Sequence, residues 1–425
     1  MPATQSPPAA TDAAHKASFF RQSGWLMVAN IAGGMMMWGV HFLSKFIPKP
    51  EYAVFGVLLA VAMCIPTMPL QIVLAQQTAE ALATRKEQQL ASKIRLVFFG
   101  TFLLWAVSAV AVFILQRQII ERWQLANSVG LWVTMAVLLL GMWLPIFWGV
   151  LQGQQSFLWL GWSMMLNGFA RILIAFLVVR LLLWQAAGMM TGVLMGMLIA
   201  ILIGAWQTRG LWSLPGEPFD WRGLLKQVIP LVLAVAAFQF LFTADTMFTK
   251  AYFDGDTVAA YVGAGTMSRA LMWLVGPLAT VMFPRIVHSS AKSEKTDIMG
   301  LVLVGTAVLA IVGALGLWVM GPWVIKLVYK SSYVAVAVSI LPWYAFAMIP
   351  LALGNVLMSN LLARSSFRFV PVICVLAVAY GIALTQFHGS LVTVLQTMGV
   401  FNLLMFATCA WFTWFDKPPT RPVAH

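Results

Sequence analysis

Charge is scarce in this sequence. Only 9% of its 425 residues are Asp, Glu, Lys or Arg, against about 25% in an ordinary soluble domain. With 61% of the chain hydrophobic and a mean hydropathy of +0.88, that scarcity excludes a soluble fold, because no soluble core absorbs so much apolar surface under so little polar cover. Acidic residues are the rarest charges, 13 against 26 lysines and arginines, which leaves a net charge of +13. In a soluble chain such a balance would suggest a nucleic-acid partner. Here the basic residues sit mostly in short loops between apolar runs, where they report membrane topology, so nucleic acid is excluded. Cysteine is also rare. Cys64, Cys374 and Cys409 all fall inside apolar segments without metal-ligand spacing, which excludes a disulfide framework and a zinc site. No Ser-His-acid set, metal-ligand spacing or phosphate-cradling glycine loop stands in an aqueous setting, so neither catalysis nor a cofactor is expected.

What is present is a series of apolar runs of about 20 residues bounded by charges or turn residues, the length that crosses a bilayer as a helix. They lie near 22–44, 53–76, 96–115, 128–151, 158–182 and 188–206, then near 227–250, 257–283, 298–320, 334–361, 369–386 and 390–414. The Pro- and Ala-rich residues 1–18 read as a disordered cytoplasmic tail, and the run from Gly24 is too long for a cleaved signal peptide. The polar stretch 209–226 carries the loop cluster Pro215-Gly216-Glu217-Pro218. It divides the chain into six-helix bundles at 19–208 and 227–415, with 416–425 as a second tail. With the N-terminus cytoplasmic, the inside segments hold 16 of the 26 lysines and arginines, which obeys the positive-inside rule and puts both termini inside.

The halves read as a tandem repeat. A shift of 205 residues lays Arg21-Gln22 on Lys226-Gln227 and Lys45 on Lys250, and a shift of 210 lays Gln155-Ser156-Phe157 on Ser365-Ser366-Phe367. An even number of spans in each half gives both the same orientation. The expected architecture is therefore an all-α membrane protein of about twelve transmembrane helices, in two six-helix bundles around a central cleft.

Polar residues inside these spans are the candidate functional groups. Asn30, Gly34, Trp38, His41 and Lys45 follow one another at steps of 4, 4, 3 and 4, which keeps them on one face of a helix about 100° wide. The seventh span repeats the device with Gln239, Thr243, Thr246 and Lys250 in the same register. An unpaired charge at a helix centre costs roughly 2.5 to 3.5 kcal/mol on insertion scales, so such faces should meet water or protein. Two arginines lie deeper. Arg269 is mid-span on a face with Tyr261, Gly265 and Gly276, and Arg171 sits halfway along the fifth span. Asp245 is the one carboxylate well inside a span, and it either lines the cavity with the substrate-binding residues or neutralises one of these cations as a buried pair. Lys45, Lys250 and Arg180 have snorkelling to the outer interface as their alternative. The resulting interior is net cationic. It points to an anionic substrate, and a phosphate ester suits the paired donors of Arg and the fixed charge of Lys.

The segments Ala244-Asp245-Thr246-Met247-Phe248 and Tyr261-Val262-Gly263-Ala264-Gly265-Thr266-Met267-Ser268-Arg269, the pair Phe283-Pro284, and Gly321-Pro322-Trp323 leading to Tyr333 together carry a family likeness. With them the chain resembles, over nearly its whole length, the oligosaccharide-lipid and polysaccharide flippases of the multidrug, oligosaccharidyl-lipid and polysaccharide exporter superfamily. The lipid II flippases of that superfamily typically have two further helices. The resemblance implies alternating access between two bundles and a polyprenyl-diphosphate-linked oligosaccharide moved from the cytoplasmic to the outer leaflet of a bacterial inner membrane. It implies no cofactor. Its expected partners are the lipid-linked glycan, membrane lipids and polysaccharide polymerase machinery. Cavity cations would hold the diphosphate, with Arg269, Lys250 and Lys45 as the matching candidates and Arg171 further from the cleft. Two other readings compete. A drug exporter of the same superfamily would be expected to carry more cavity acids than Asp245 alone, and a membrane glycan polymerase or ligase needs a substantial outer loop, for which the connections here are too short.

Overall fold

The computed structural model describes the backbone over residues 10–291 and 298–415, and side chains over 24–275 (Trp273 excepted) and 299–415. Among the described residues the chain is helical with no strand. This is the expected solution in hydrocarbon, where every backbone N–H and C=O must be satisfied within its own segment. Ten segments are long and apolar enough to cross a membrane. The 37-residue helix α9 (Gly255–Ala291) and the shorter apolar helix α12 (Val370–Gln386) complete twelve.

The chain divides into two compact units. The first comprises 1–43, 67–115 and 131–221, and the second comprises 44–66, 116–130 and 222–425. In the first unit, α6 (Phe157–Leu181) packs between α1 (Ala10–Gly39) and α7 (Gln185–Trp212). Small residues make these contacts, as they must where lipid supplies no hydrophobic drive and helices gain by close backbone approach. A Cβ on Gly192 would stand 2.4 Å from the Arg171 carbonyl oxygen, and one on Gly196 2.4 Å from that of Asn167. The same device joins α5 (Val129–Gly153) to α3 (Thr67–Thr84), where a Cβ on Gly153 would lie 2.5 Å from the Ala75 carbonyl oxygen. In the second unit, α11 (Val334–Ala363) is the central helix, packed on α9, α10 (Ile298–Val328) and α13 (Leu391–Trp414). The helix α2 (Lys49–Met63) packs on α9.

Three departures from the sequence expectation have local causes. Composition favours a disordered tail over residues 10–18, yet helix α1 begins at Ala10, where the run Ala10-Thr-Asp-Ala-Ala-His-Lys-Ala supplies good helix formers. Residues 1–9 and 416–425 lie outside the described residues. The second expected span, 53–76, is two helices, α2 and α3, separated at Cys64 to Pro66. Proline has no N–H to continue the ladder and disfavours helical geometry in the residue before it. Because α2 belongs to the second unit and α3 to the first, the break is where the chain changes unit. The first span likewise ends early, with Val40–Phe46 wound as a 3-10 helix.

Two positions aligned by the 210-residue shift share a local backbone geometry that also occurs at Gln124, where the shift does not apply. Gln155 (φ 56°) and Ser365 (φ 54°) are both left-handed, an arrangement that non-glycine residues adopt as single helix-ending positions. Around them the N–H of Ser156 donates to Leu151 O at 2.9 Å and that of Gln155 to Gln152 O at 3.1 Å, while Ser366 donates to Leu361 O and Ser365 to Leu362 O, both at 3.0 Å. The same two-bond helix stop thus closes α5 and α11.

Close glycine contact makes a direct test. Gly153→Leu should destabilise the protein in detergent by about 1–3 kcal/mol through overpacking, whereas Gly100→Leu should be neutral, since a Cβ there meets nothing within 4 Å. Thermal unfolding of both variants gives the comparison, and equal effects would remove α3–α5 contact as a stabilising element.

Candidate functional site

The densest polar cluster among the described residues lies inside the second unit, between α8 (Trp221–Tyr252), α9 and α11. Its centre is Asp245, fully buried, whose Oδ1 accepts from Arg269 Nη2 at 2.7 Å. The other carboxylate oxygen, Oδ2, accepts from the hydroxyls of Tyr261 (2.8 Å) and Tyr344. Tyr344 reaches it over Gly265, where a Cβ would stand 2.9 Å from the tyrosine oxygen. Arg269 also donates from Nε to the Phe242 carbonyl at 3.0 Å and from Nη2 to Thr246 Oγ1 at 2.8 Å. Its cation lies 5.5 Å from the ring centres of both Phe242 and Tyr344. These contacts use Nε and Nη2. Nη1 donates to no described residue, and the side chain keeps 13% exposure while Asp245 has none.

The sequence leaves Asp245 two alternatives, and the geometry selects neutralisation of Arg269. Two charges taken out of water are tolerated only when they pair and their remaining hydrogen-bonding capacity is met. Asp245 satisfies both conditions through one guanidinium and two phenols. The sequence pattern places Tyr261, Gly265 and Arg269 on one face. It does not find Tyr344, which comes from a span some hundred positions away and which nothing local marks apart from its being a tyrosine amid apolar neighbours.

The other α8 residues serve the break in the second span. Gln239 donates to the Met63 carbonyl at 2.8 Å, one of the last carbonyls of α2, which has no intrahelical donor once Pro66 follows. Thr243, completely buried, sits 3.1 Å from Cys64 Sγ. Lys250 is 1% exposed and lies in the field of Glu51 and Asp254, so it does not snorkel to the surface.

The stripe expected along the first span is corrected. A 3-10 helix advances about 120° per residue, so beyond Gly39 the helical register that aligned Asn30, Trp38, His41 and Lys45 is lost. Asn30 is exposed on α1. Trp38 and His41 belong to the first unit with ring centres 6.3 Å apart, His41 is buried, and Arg171 is buried on α6. Lys45 belongs to the second unit, where its Nζ donates to the Leu327 carbonyl at 2.7 Å. Ser44 reaches the Val328 carbonyl at 3.5 Å beside it, and Lys330 returns the contact by donating to the Ile47 carbonyl at 2.9 Å. These lysines cap the carbonyl-rich ends of two helices, where a cation is favoured. Lys45 therefore has a structural partner rather than an open position. Of the motif residues named from sequence, the side chains of Phe283 and Pro284 lie outside the described residues.

Apolar spans organised around a buried ion pair define a multi-pass membrane protein. Solved structures share its fold. A multidrug resistance MATE family transporter of the MOP superfamily, in an inward-facing conformation, superimposes with a TM-score of 0.68 at 12% identity, covering 92% of this chain and 93% of its own. The lipid II flippase MurJ, in an inward closed conformation, also gives 0.68, at 15% identity over 94% of this chain and 88% of its own. A MATE transporter from Vibrio cholerae gives 0.51 at 15% identity over 93% and 96%. No curated protein sequence matches significantly. The sequence profile of the lipid II flippase MurJ family matches residues 79–415, and the chain belongs to that family, whose members are flippases and not enzymes. The superfamily expected from the sequence holds, and the branch is corrected, from the polysaccharide flippases to the family that helix counting sets aside.

The ion pair yields a stability prediction. Asp245→Asn should cost about 3–5 kcal/mol by leaving a buried guanidinium unpaired, and Arg269→Met should cost a comparable amount. The double variant should be more stable than the sum of the two losses predicts. Simple additivity in chemical unfolding would show that the pair contributes no coupling.

Proposed function

We propose that this protein carries a polyprenyl-diphosphate-linked saccharide across a bacterial inner membrane by alternating access, with lipid II, the substrate in its family's name, as the cargo. The oligosaccharide-lipid substrates expected from the sequence belong to the same chemical class. The observation that carries the proposal is the half-committed guanidinium of Arg269. It is bound on one edge by Asp245 and Thr246 and open on the other.

A diphosphate is multiply anionic and offers several strong acceptors, and an arginine answers it with paired, charge-assisted donors. At first contact the open Nη1 edge binds a phosphate oxygen without breaking the pair. A full grip by the fork requires Nη2 to leave Asp245. That exchange is tolerable here because Tyr261 and Tyr344 continue to donate to Oδ2, so the carboxylate is not stranded when the guanidinium turns to the substrate. Lys250, buried one helical turn beyond Thr246 on the same face of α8, is assigned as the second cation. Gln239 and Thr246 position the helix and the arginine. A membrane potential negative inside favours outward movement of an anion by about 2.3 kcal/mol per charge per 100 mV.

Arg269→Ala should lower the amount of lipid II reaching the outer leaflet at least about tenfold, the loss expected for one charged hydrogen-bonding partner. Arg269→Lys should recover part of it, since a point charge remains without the fork. Outer-leaflet lipid II in cells that depend on this protein is the measurement. Normal transport by the alanine variant at normal protein levels would sink the assignment. Export of a cationic drug without lipid II movement would transfer the protein to the drug-exporter reading.

A further inference from the structure

The first unit contains a second arginine whose situation is the reverse of Arg269. Arg171 is 8% exposed, yet none of its five N–H groups donates to a described residue and no described carboxylate forms an ion pair with it. Its Nε is buried without a partner. One turn earlier on the same face of α6, Asn167 is 1% exposed and its Oδ1 is equally unpartnered, although the residue one turn before that, Ser163, is fully bonded to Trp148 Nε1 and the Ala200 carbonyl. The face is thus well built up to Asn167 and chemically incomplete from there on. An arginine cannot relieve this by losing its proton, because a guanidinium stays charged in proteins. A buried unpaired charge is among the most costly arrangements in a protein and persists where something supplies the missing partner.

We propose that Arg171 and Asn167 bind a small monovalent inorganic anion of halide size within the first unit. The sign follows from the guanidinium, which supplies only donors. Asn167 adds an amide whose nitrogen and oxygen exchange by rotation about the side chain, so its NH2 turns to the anion. His41, buried at 6% exposure, lies within the field of Arg171 and keeps that end of the site polar. Helix packing beside Asn167 is close, since a Cβ at Gly196 would stand 2.8 Å from Asn167 Oδ1 and 3.3 Å from Arg171 Cβ, and close packing favours a small ion over a sugar diphosphate. The site is independent of the transport reading, because it lies in the first unit and uses neither Asp245 nor Arg269.

The test uses the full-length protein in detergent with sodium chloride, bromide or gluconate at equal ionic strength. An anion that binds the folded state raises its stability by mass action. The melting temperature in saturating chloride or bromide should exceed that in gluconate by about 3 °C or more. Arg171→Met should abolish the difference and melt in gluconate no lower than the wild type, since it removes an uncompensated charge. Arg180→Gln, at the exposed end of the same helix, should retain it. Should Arg171→Met fail to fold, equilibrium binding of radioactive chloride to the wild type decides, with close to one ion per chain expected. An identical wild-type melting temperature in all three salts, a full chloride response in Arg171→Met, or no bound chloride would each overturn the proposal. A response to pyrophosphate but not to halide would overturn it as well, assigning the arginine to the cargo instead.

Discussion

A charge in hydrocarbon must be answered from within the protein, and most of the polar architecture of this chain follows from that constraint. The Asp245–Arg269 pair is its clearest expression. One carboxylate collects a guanidinium and two phenols from three helices, and α8, α9 and α11 are thereby fixed against one another at a depth where no water substitutes for a missing partner. The same constraint explains less conspicuous contacts. Gln239 closes the carbonyl left open where Pro66 ends the ladder of α2, and Lys45 and Lys330 cover the final carbonyls of α10 and of the 3-10 segment. Each of these side chains stands out in the sequence as a polar residue in an apolar run. Each turns out to complete a backbone that departs from a continuous helix.

Substrate recognition in this setting cannot be a matter of free positive charge waiting in the membrane. A cation that is stable in the empty protein is already paired, and an anionic cargo must compete with its internal partner. What matters is how little is lost in the exchange. Under the proposed exchange, Tyr261 and Tyr344 would lower that loss by continuing to donate to Asp245 when Arg269 turns away. Gly265 belongs to the same device. Its missing side chain is the space through which Tyr344 reaches the site.

The helices are legible in the sequence because apolar length is a direct consequence of bilayer thickness. Tyr261 and Arg269 are legible on one face and Asp245 as a costly acid within a span, while the pairing of Asp245 with Arg269 comes from the structure. Breaks within spans are less visible. Pro66 and the 3-10 turn at Val40–Phe46 interrupt runs whose hydrophobicity is continuous, and hydropathy does not register backbone geometry. The extension of one helical period through His41 to Lys45 fails for that reason. Tyr344 is hidden because its partner is contributed by another helix entirely. The family branch emerges only from the match of residues 79–415 to the family profile.

The two arginines differ in how their charge is met. Arg269 is balanced by an acid of its own unit, whereas Arg171 has no ion pair with a described carboxylate and its Nε is buried without a partner. A guanidinium balanced by a carboxylate can be offered to an anion only at the expense of that pair. One without a carboxylate gains stability when an anion supplies the missing partner. Under the two proposals made above, the first arrangement suits a site that binds and releases during a transport cycle, and the second suits a site that stays occupied.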